Sequence, residues 1–192
     1  MNTKDKILLA MYKLIARHGY EKTSIAMICE EVKIKKPSVY YYFDSKEEIF
    51  LALIDAVNDY YNYLNIEKSF KKQTFKKDLI REGHKIIDDY IKDGKLIYVI
   101  AEFYIQANRI DRVKEKIKLL ENSSRDLIKR VLKHGIKINA LPKDFDVVLN
   151  SRILGLTIDA IGFSFSHDID AMTKIWETSV NRMFLELERQ KK

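Results

Sequence analysis

Residues 23–49 read Thr23-Ser-Ile-Ala-Met-Ile-Cys-Glu-Glu-Val-Lys-Ile-Lys-Lys-Pro-Ser-Val-Tyr-Tyr-Tyr-Phe-Asp-Ser-Lys-Glu-Glu-Ile49. A hydroxyl at Thr23 or Ser24 can accept a hydrogen bond from the free amides of a helix that begins there. After a short break, Val39 and Phe43 stand four residues apart and mark the buried side of a second, very short helix. Two short helices joined by a tight turn, with basic residues around the second one, are typical of a helix-turn-helix.

The second of these helices is predicted to turn one set of side chains away from the protein. At about 100° per residue, placing Val39 and Phe43 on the core side turns Pro37, Ser38 and Tyr41 outward. Base edges of DNA are then predicted to be read by Lys36, Pro37, Ser38 and Tyr41. Phosphates are predicted to be held by Ser24, Tyr40, Tyr42 and Lys46. Two alternatives are that the tyrosines pack at an interface and that the lysines form a solvated charge run.

The charge of the chain favours a polyanionic partner for its first quarter. The 192 residues carry a net charge of +7, and residues 1–46 hold nine Lys/Arg against five Asp/Glu, a net +4. This asymmetry is consistent with DNA as the partner of the N-terminal segment. The chain has only 6 Gly and 2 Pro, too few turn formers for a many-stranded β fold. A mostly helical chain is therefore predicted.

Composition also excludes several classes of function. Cys29 is the one cysteine, which rules out an internal disulfide and a cysteine-based zinc motif. The four histidines are too far apart in sequence for a helical metal pair, and no phosphate-binding glycine loop or nucleophile elbow occurs. We therefore expect no enzyme activity, no metal and no cofactor. No apolar run reaches the roughly 20 residues of a membrane span, so a cytoplasmic protein without a membrane partner is expected.

Apolar periodicity predicts an all-α chain of about nine helices. Three short helices form the helix-turn-helix part, a long fourth helix begins near Ser45, and five further helices resemble a bundle. The boundaries predict a helix-turn-helix DNA-binding domain at 1–46 and a helical ligand-binding and dimerisation domain at 47–192.

The segment quoted above resembles the DNA-binding region of TetR-type transcriptional regulators. The matching residues are Ser24, Ile28, Ile34, Tyr40, Tyr42, Phe43, Ser45, Lys46, Glu47 and Glu48. The family's turn glycine is replaced here by Lys33, which is predicted to adopt a positive φ. Lys35 replaces a capping serine, and Pro37 stands where glycine is frequent, in a first helical turn that tolerates proline.

The resemblance implies a ligand-binding and dimerisation domain in the C-terminal two-thirds. Aromatic residues there predict a ligand pocket with one carboxylate, which could instead face solvent. This predicted pocket comprises Tyr61, Glu102, Phe103, Tyr104 and Trp176. Small residues on one helix and a broad apolar stripe on the last helix predict a dimer interface, although the stripe could pack within one subunit. This predicted interface comprises Gly155, Asp159, Gly162, Ile175, Trp176 and Met183.

The sequence therefore predicts a dimeric repressor that a small apolar or amphipathic ligand releases from double-stranded operator DNA. Its partners would be the operator, a small-molecule effector and a second copy of the chain. One alternative is a DNA-binding regulator without effector control. A second, of a different class, is a helical protein-interaction module whose basic N-terminus binds acidic partners.

Overall fold

The computed structural model describes residues 1–63, 66–162 and 168–190, and these residues form nine α-helices, one 3₁₀ turn and no strand. The all-α prediction is confirmed. The α-helices are α1 (Thr3–Lys22), α2 (Ile25–Val32), α3 (Lys36–Tyr40), α4 (Lys46–Tyr63), α5 (Phe75–Lys92), α6 (Leu96–Ala107), α7 (Asp111–Lys137), α8 (Val147–Gly162) and α9 (Ile169–Gln190), and the 3₁₀ turn spans Ile66–Ser69.

The chain divides into two compact units. The first comprises Met1–Tyr60 and Gly94–Glu121, and the second comprises Tyr61–Asp93 and Asn122–Lys192. This division differs from the boundary predicted at residue 46, because α6 and the start of α7 pack with the N-terminal helices. Phe103 of α6 is fully buried with its ring 5.3 Å from that of Phe50 on α4. An aromatic pair of this kind forms only when the folded chain brings distant segments together, so sequence alone did not reveal it.

The first helix is capped at its start and broken near its end. The side chain of Asn2 accepts a hydrogen bond from the amide of Asp5, and the Asp5 carboxylate accepts one from the amide of Asn2. At Gly19 the backbone leaves the helical conformation, with φ +76° and ψ 166°. Helical structure resumes after Gly19 and continues to Lys22.

In the second unit, Gly83 lets α9 approach α5 closely. A Cβ atom at Gly83 would lie 1.9 Å from Nε1 of Trp176. Because Gly83 has none, the buried indole reaches α5 and donates a 3.1 Å hydrogen bond to the carbonyl of Ile80. Trp176 is therefore buried in its own unit with its only polar atom bonded there. Its predicted places in a ligand pocket and a dimer interface stay predictions.

Three other predicted interface residues also face their own unit. Met183 is 5% exposed, which removes it from the surface. A Cβ atom at Gly162 would meet the ring of Tyr90 at 3.0 Å, and one at Gly155 would contact Ile128 at 3.6 Å. Gly162 therefore lets the Tyr90 ring approach α8 closely, whereas a Cβ atom at Gly155 would make an ordinary contact. The roles of both glycines in a dimer interface stay predictions. Asp159 and Ile175 are exposed, as the prediction of an interface requires.

Two searches of the described residues complete the fold. No helix among them is long and apolar enough to cross a bilayer. The same residues contain no group of three or more His, Cys, Asp or Glu side chains arranged to hold a metal ion.

Candidate DNA-binding surface

The short helix α3 presents its outward face as the sequence predicts. Val39 is fully buried and Phe43 is 6% exposed, so this side anchors α3 to α1 and α2. Tyr41 is 81% exposed, Tyr40 49% and Tyr42 40%. Lys36, Pro37 and Ser38 are also exposed. The four residues predicted to read bases therefore lie on solvent-facing positions, and their contacts with DNA remain predictions.

The turn between α2 and α3 has the strain expected from its sequence. Lys33 ends α2 in the left-handed conformation, with φ 60° and ψ 46°, so the predicted positive φ is confirmed. A non-glycine residue in this region has a conformational cost of about 1–2 kcal/mol. The side chain of Lys35 makes no capping hydrogen bond to α3, and Pro37 lies in its first turn, as predicted. The departures from the family pattern therefore leave the helix-turn-helix intact.

Ser24 and Lys46, both predicted phosphate contacts, already form hydrogen bonds at helix ends. Ser24 caps α2 by accepting a 3.3 Å hydrogen bond from the amide of Met27. Nζ of Lys46 donates to the carbonyls of Tyr20 at 3.0 Å and Glu21 at 3.4 Å. It also lies 4.1 Å from the centre of the Tyr20 ring. An ammonium group has three donors, so Lys46 keeps one for a phosphate.

Tyr20 lies at the centre of this junction and stays neutral. Burial, helped by the negative charges of Glu47 and Glu21, raises the pKa of Tyr20 to about 12. Its ring lies 4.5 Å from that of Phe50 and connects α1 to α4.

One basic residue beside α3 was missed by the sequence reasoning. Nζ of Lys4 lies 5.8 Å from the centre of the Phe43 ring, and Phe43 follows shortly after the end of α3. The two residues are far apart in sequence, so only the fold brings this ammonium group near the end of α3. We regard Lys4 as a further candidate for a phosphate contact.

Two arginines connect the α6–α7 turn with the DNA-binding helices. Nη1 of Arg109 lies 3.2 Å from the carboxylate of Glu21 at the end of α1. Nη1 of Arg112 lies 2.7 Å from the carboxylate of Glu48 and 3.1 Å from that of Glu47 at the start of α4. All five residues of these ion pairs are at least partly exposed, so each contact contributes little stability alone. Together they join α7 to the same helix ends that position α3.

Comparisons with known proteins agree with this geometry. A family model described as bacterial regulatory proteins of the tetR family matches residues 7–53, which include α2 and α3. The HTH-type transcriptional regulator QacR of Staphylococcus aureus is 29% identical over 177 residues, covering 88% of this chain and 88% of that protein. Residues 7–53 of the chain form a DNA-binding region of the TetR type. This match and the similarity to QacR identify the chain as resembling DNA-binding transcriptional regulators of that family.

Solved structures of TetR-family type share the fold over nearly the whole chain. SmeT, described as the repressor of the Stenotrophomonas maltophilia multidrug efflux pump SmeDEF, has a TM-score of 0.72 at 17% identity and covers 97% of this chain and 90% of its own. The regulator FadR from Bacillus subtilis, solved in complex with stearoyl-CoA, has a TM-score of 0.71 at 19% identity, with 93% and 96% covered. At these identities the likeness establishes the fold alone.

The predicted effector residues of this chain do not form one described pocket. The side chain of Tyr61 lies outside the described residues. Phe103 is fully buried against Phe50, and the hydroxyl of Tyr104 donates a 3.3 Å hydrogen bond to the carboxylate of Glu121. These contacts make Phe103 and Tyr104 packing residues of the first unit.

Glu102 and Gln106 form a polar pair on α6. Oε2 of Glu102 accepts a 3.4 Å hydrogen bond from Nε2 of Gln106. A Cβ atom at Gly19 would lie 3.0 Å from Oε1 of Glu102, so this carboxylate faces the break in α1. Gln106 is 1% exposed, and among the described residues its Oε1 has no hydrogen-bond partner. A buried acceptor without a partner is a candidate ligand contact. The sequence gave no signal for Gln106, since its burial depends on the packing of α6.

Proposed function

We propose that this chain is a homodimeric repressor that holds a palindromic operator through two copies of α3 and is released by a small ligand. The observation that carries the proposal is the outward face of α3, where Tyr41 is 81% exposed on a helix anchored by fully buried Val39. A rigid helix with polar, aromatic and basic residues facing solvent fits the major groove of DNA.

The dimer part of the proposal rests on an exposed apolar face of α8 and α9. Leu156 is 69% exposed, Leu149 54% and Ile175 52%, and Ile153 adds to the same region. Leu149, Ile153 and Leu156 follow a helical spacing of four and three residues, so they share one side of α8. A groove of about 400 Å³ in this region is lined by apolar side chains, among them Leu156, Ala160, Met172 and Ile175. An exposed apolar surface of this kind is typical of a subunit interface.

The effector part rests on the polar pair of α6. Because Glu102 faces the break in α1, a ligand that donates a hydrogen bond to the Glu102 carboxylate or to Oε1 of Gln106 would act on α1 and, through it, on α2 and α3. This path from α6 through α1 to α3 lies within the first unit. SmeT is described as the repressor of a multidrug efflux pump, and FadR was solved with stearoyl-CoA. Small apolar or amphipathic effectors are therefore compatible with this fold.

A binding experiment tests the proposal in two steps. Duplexes selected from a random pool by the full chain are labelled, and their affinity is measured by fluorescence anisotropy at several salt concentrations. Tyr41→Ala should reduce the preference for the selected duplex over a scrambled one, while Lys36→Gln should also lower overall affinity. Equal affinity for selected and scrambled duplexes in the unaltered protein would contradict operator recognition and favour the protein-interaction module.

The second step addresses release by a ligand. Amphiphiles with the same alkyl chain and a cationic, anionic or neutral head are titrated with and without the selected duplex. Linkage requires that a ligand that weakens DNA binding is itself bound more weakly when DNA is present. Glu102→Gln should change the preference among the three heads. If no amphiphile shifts DNA affinity, the alternative of a regulator without effector control is favoured.

A further inference from the structure

The second unit carries a basic surface that the DNA-binding helices do not account for. Five lysines on it are exposed, and within the described ranges no carboxylate lies at ion-pair distance from any of them. This second basic surface comprises Lys68, Lys71, Lys72, Lys133 and Lys137.

Buried contacts hold the segments of this surface together. His134 on α7 donates a 3.2 Å hydrogen bond through Nε2 to the carbonyl of Phe70. Arg130 lies 4.0 Å from the carboxylate of Glu67. A Cβ atom at Gly135 would lie 2.5 Å from the ring of Phe75, so this ring packs directly on α7. The 66–77 segment is therefore fixed against the end of α7.

Helix geometry places the α7 lysines on the same side as these contacts. At about 100° per residue, Lys133 and Lys137 lie within roughly a quarter to a third of a turn of Arg130 and His134. Arg130 and His134 reach residues 67 and 70, so Lys133 and Lys137 lie beside the lysines of that segment. The five lysines therefore form one surface, although they come from separate stretches of sequence.

The two segments that carry this surface have a higher net charge than the whole chain. Residues 66–77 and 129–143 contain ten Lys/Arg and one Asp/Glu, a net +9, against +7 for all 192 residues. The one acid, Glu67, is paired with Arg130, and Lys129 is paired with Asp126 outside the two segments. Asp144 follows directly and lowers the local charge by one. The rest of the chain is net acidic, even with the basic residues 1–46.

The chemistry of the surface favours the phosphate backbone of DNA over other polyanions. None of the large apolar side chains that are exposed in the described part of the chain lies in 66–77 or 129–143. The surface therefore offers no aromatic platform for unpaired bases and no apolar anchor for a membrane. Lysine ammonium groups bind phosphates as point charges without reading sequence.

We propose that the second basic surface binds the phosphate backbone of double-stranded DNA without sequence preference, as a site separate from α3. A regulator with two such sites contacts a second duplex, or a distant part of the same one, while α3 holds the operator. The site adds to the salt dependence of binding, because each neutralised phosphate releases counterions. Its existence does not require α3 to recognise an operator.

The test uses the full chain with α3 disabled by Lys36→Gln and Tyr41→Ala. In this background, residual binding to a random duplex is measured against salt concentration, with and without a triple change of Lys71, Lys133 and Lys137 to Gln. The three lysines are exposed, and unchanged circular dichroism melts verify the fold. We expect the triple change to reduce the slope of log affinity against log salt by about two to three, since each phosphate contact contributes about 0.9.

A matched control removes the same charge elsewhere. Lys92, Lys114 and Lys118, also exposed, are changed to Gln in the same background. The control should change the slope by less than one. Equal effects of the two triple variants, or no effect of either, would overturn the proposal. Vesicles with and without phosphatidylserine form a further arm. If the Lys71, Lys133 and Lys137 change abolishes vesicle binding and leaves DNA binding unaltered, the surface is a membrane site and the proposal is wrong.

The outcomes separate this proposal from operator recognition. If the unaltered protein showed no preference for the selected duplex, the role of α3 would be contradicted. The salt slope of the triple variant would still test the second basic surface. An unaltered slope in the triple variant would contradict the second site while operator recognition persists.

Discussion

The ammonium group of Lys46 donates a 3.0 Å hydrogen bond to the backbone carbonyl of Tyr20, near the end of α1. It joins the start of α4 to the last turn of α1, where the Tyr20 carbonyl also accepts a 3.1 Å hydrogen bond from the amide of Thr23. Lys46 therefore helps to position the helix-turn-helix by joining α4 to α1, whether or not it also reaches a phosphate. A residue chosen from the family pattern for DNA contact thus has a structural role that its sequence context does not reveal.

Lys46→Ala is expected to lower both stability and DNA affinity. Losing the hydrogen bonds to Tyr20 and Glu21 and the contact with the Tyr20 ring should reduce the free energy of unfolding by about 1–2 kcal/mol. If the remaining donor holds a phosphate, the salt slope falls by about 0.9 as well. Urea titration gives the first quantity and anisotropy the second. Lys22→Ala, at an exposed position of the last turn of α1, is the control. A stability equal to that of the unaltered protein would contradict the junction role.

Lys33→Gly is expected to stabilise the protein. Lys33 has φ 60° and ψ 46°, and glycine adopts this conformation without the steric cost that other residues have there. The free energy of unfolding should rise by up to about 1 kcal/mol, measured by urea denaturation. Lys35→Gly is the matched control, because Lys35 has an extended backbone with φ −85°. The control should lower stability, since glycine there only increases the entropy of the unfolded chain. Lower stability of both variants would contradict strain at Lys33.

The sequence was most informative where function depends on local pattern. The caps at Ser24 and Ser45, the buried face of α3 and the positive φ of Lys33 all follow from nearest neighbours along the chain. Contacts between distant segments could not be predicted in this way. Gly83 admits Trp176, which lies 93 residues further on, and the sequence gave no sign of this contact. Burial of Gln106 likewise depends on how α6 packs.

Asp78 is expected to make the second unit sensitive to acid. Burial acts to raise its pKa, but hydrogen bonds from Thr74, the amide of Lys71 and Arg81 outweigh burial and lower the pKa below 3.8. A depressed pKa contributes stability that is fully present above the unfolded value and is lost as pH falls through the folded value. Asp78→Asn should therefore cost about 1–2 kcal/mol at pH 7.

The pH dependence provides the check on Asp78. The difference in free energy of unfolding between the unaltered protein and Asp78→Asn should shrink as pH falls below about 4, because the unfolded chain binds the Asp78 proton there while the native carboxylate is still ionised. Urea titrations at pH 7 and at a series of acidic pH values measure it. Asp93→Asn, at an exposed position, serves as the comparison. A difference that stays constant over this range would show that the Asp78 charge contributes nothing.

Leu156→Glu and Ile175→Glu are expected to separate the proposed dimer. Both side chains are more than half exposed, at 69% and 52%, so a charge is tolerated in one subunit but would be buried without a partner in an interface. Sedimentation should show monomers, and operator affinity should fall at least tenfold, because two linked copies of α3 raise each other's effective concentration. Leu119→Glu, at a residue 54% exposed on α7 in the first unit, should leave the dimer unchanged. Dimers of unaltered stability in both α8 and α9 variants would place the interface elsewhere.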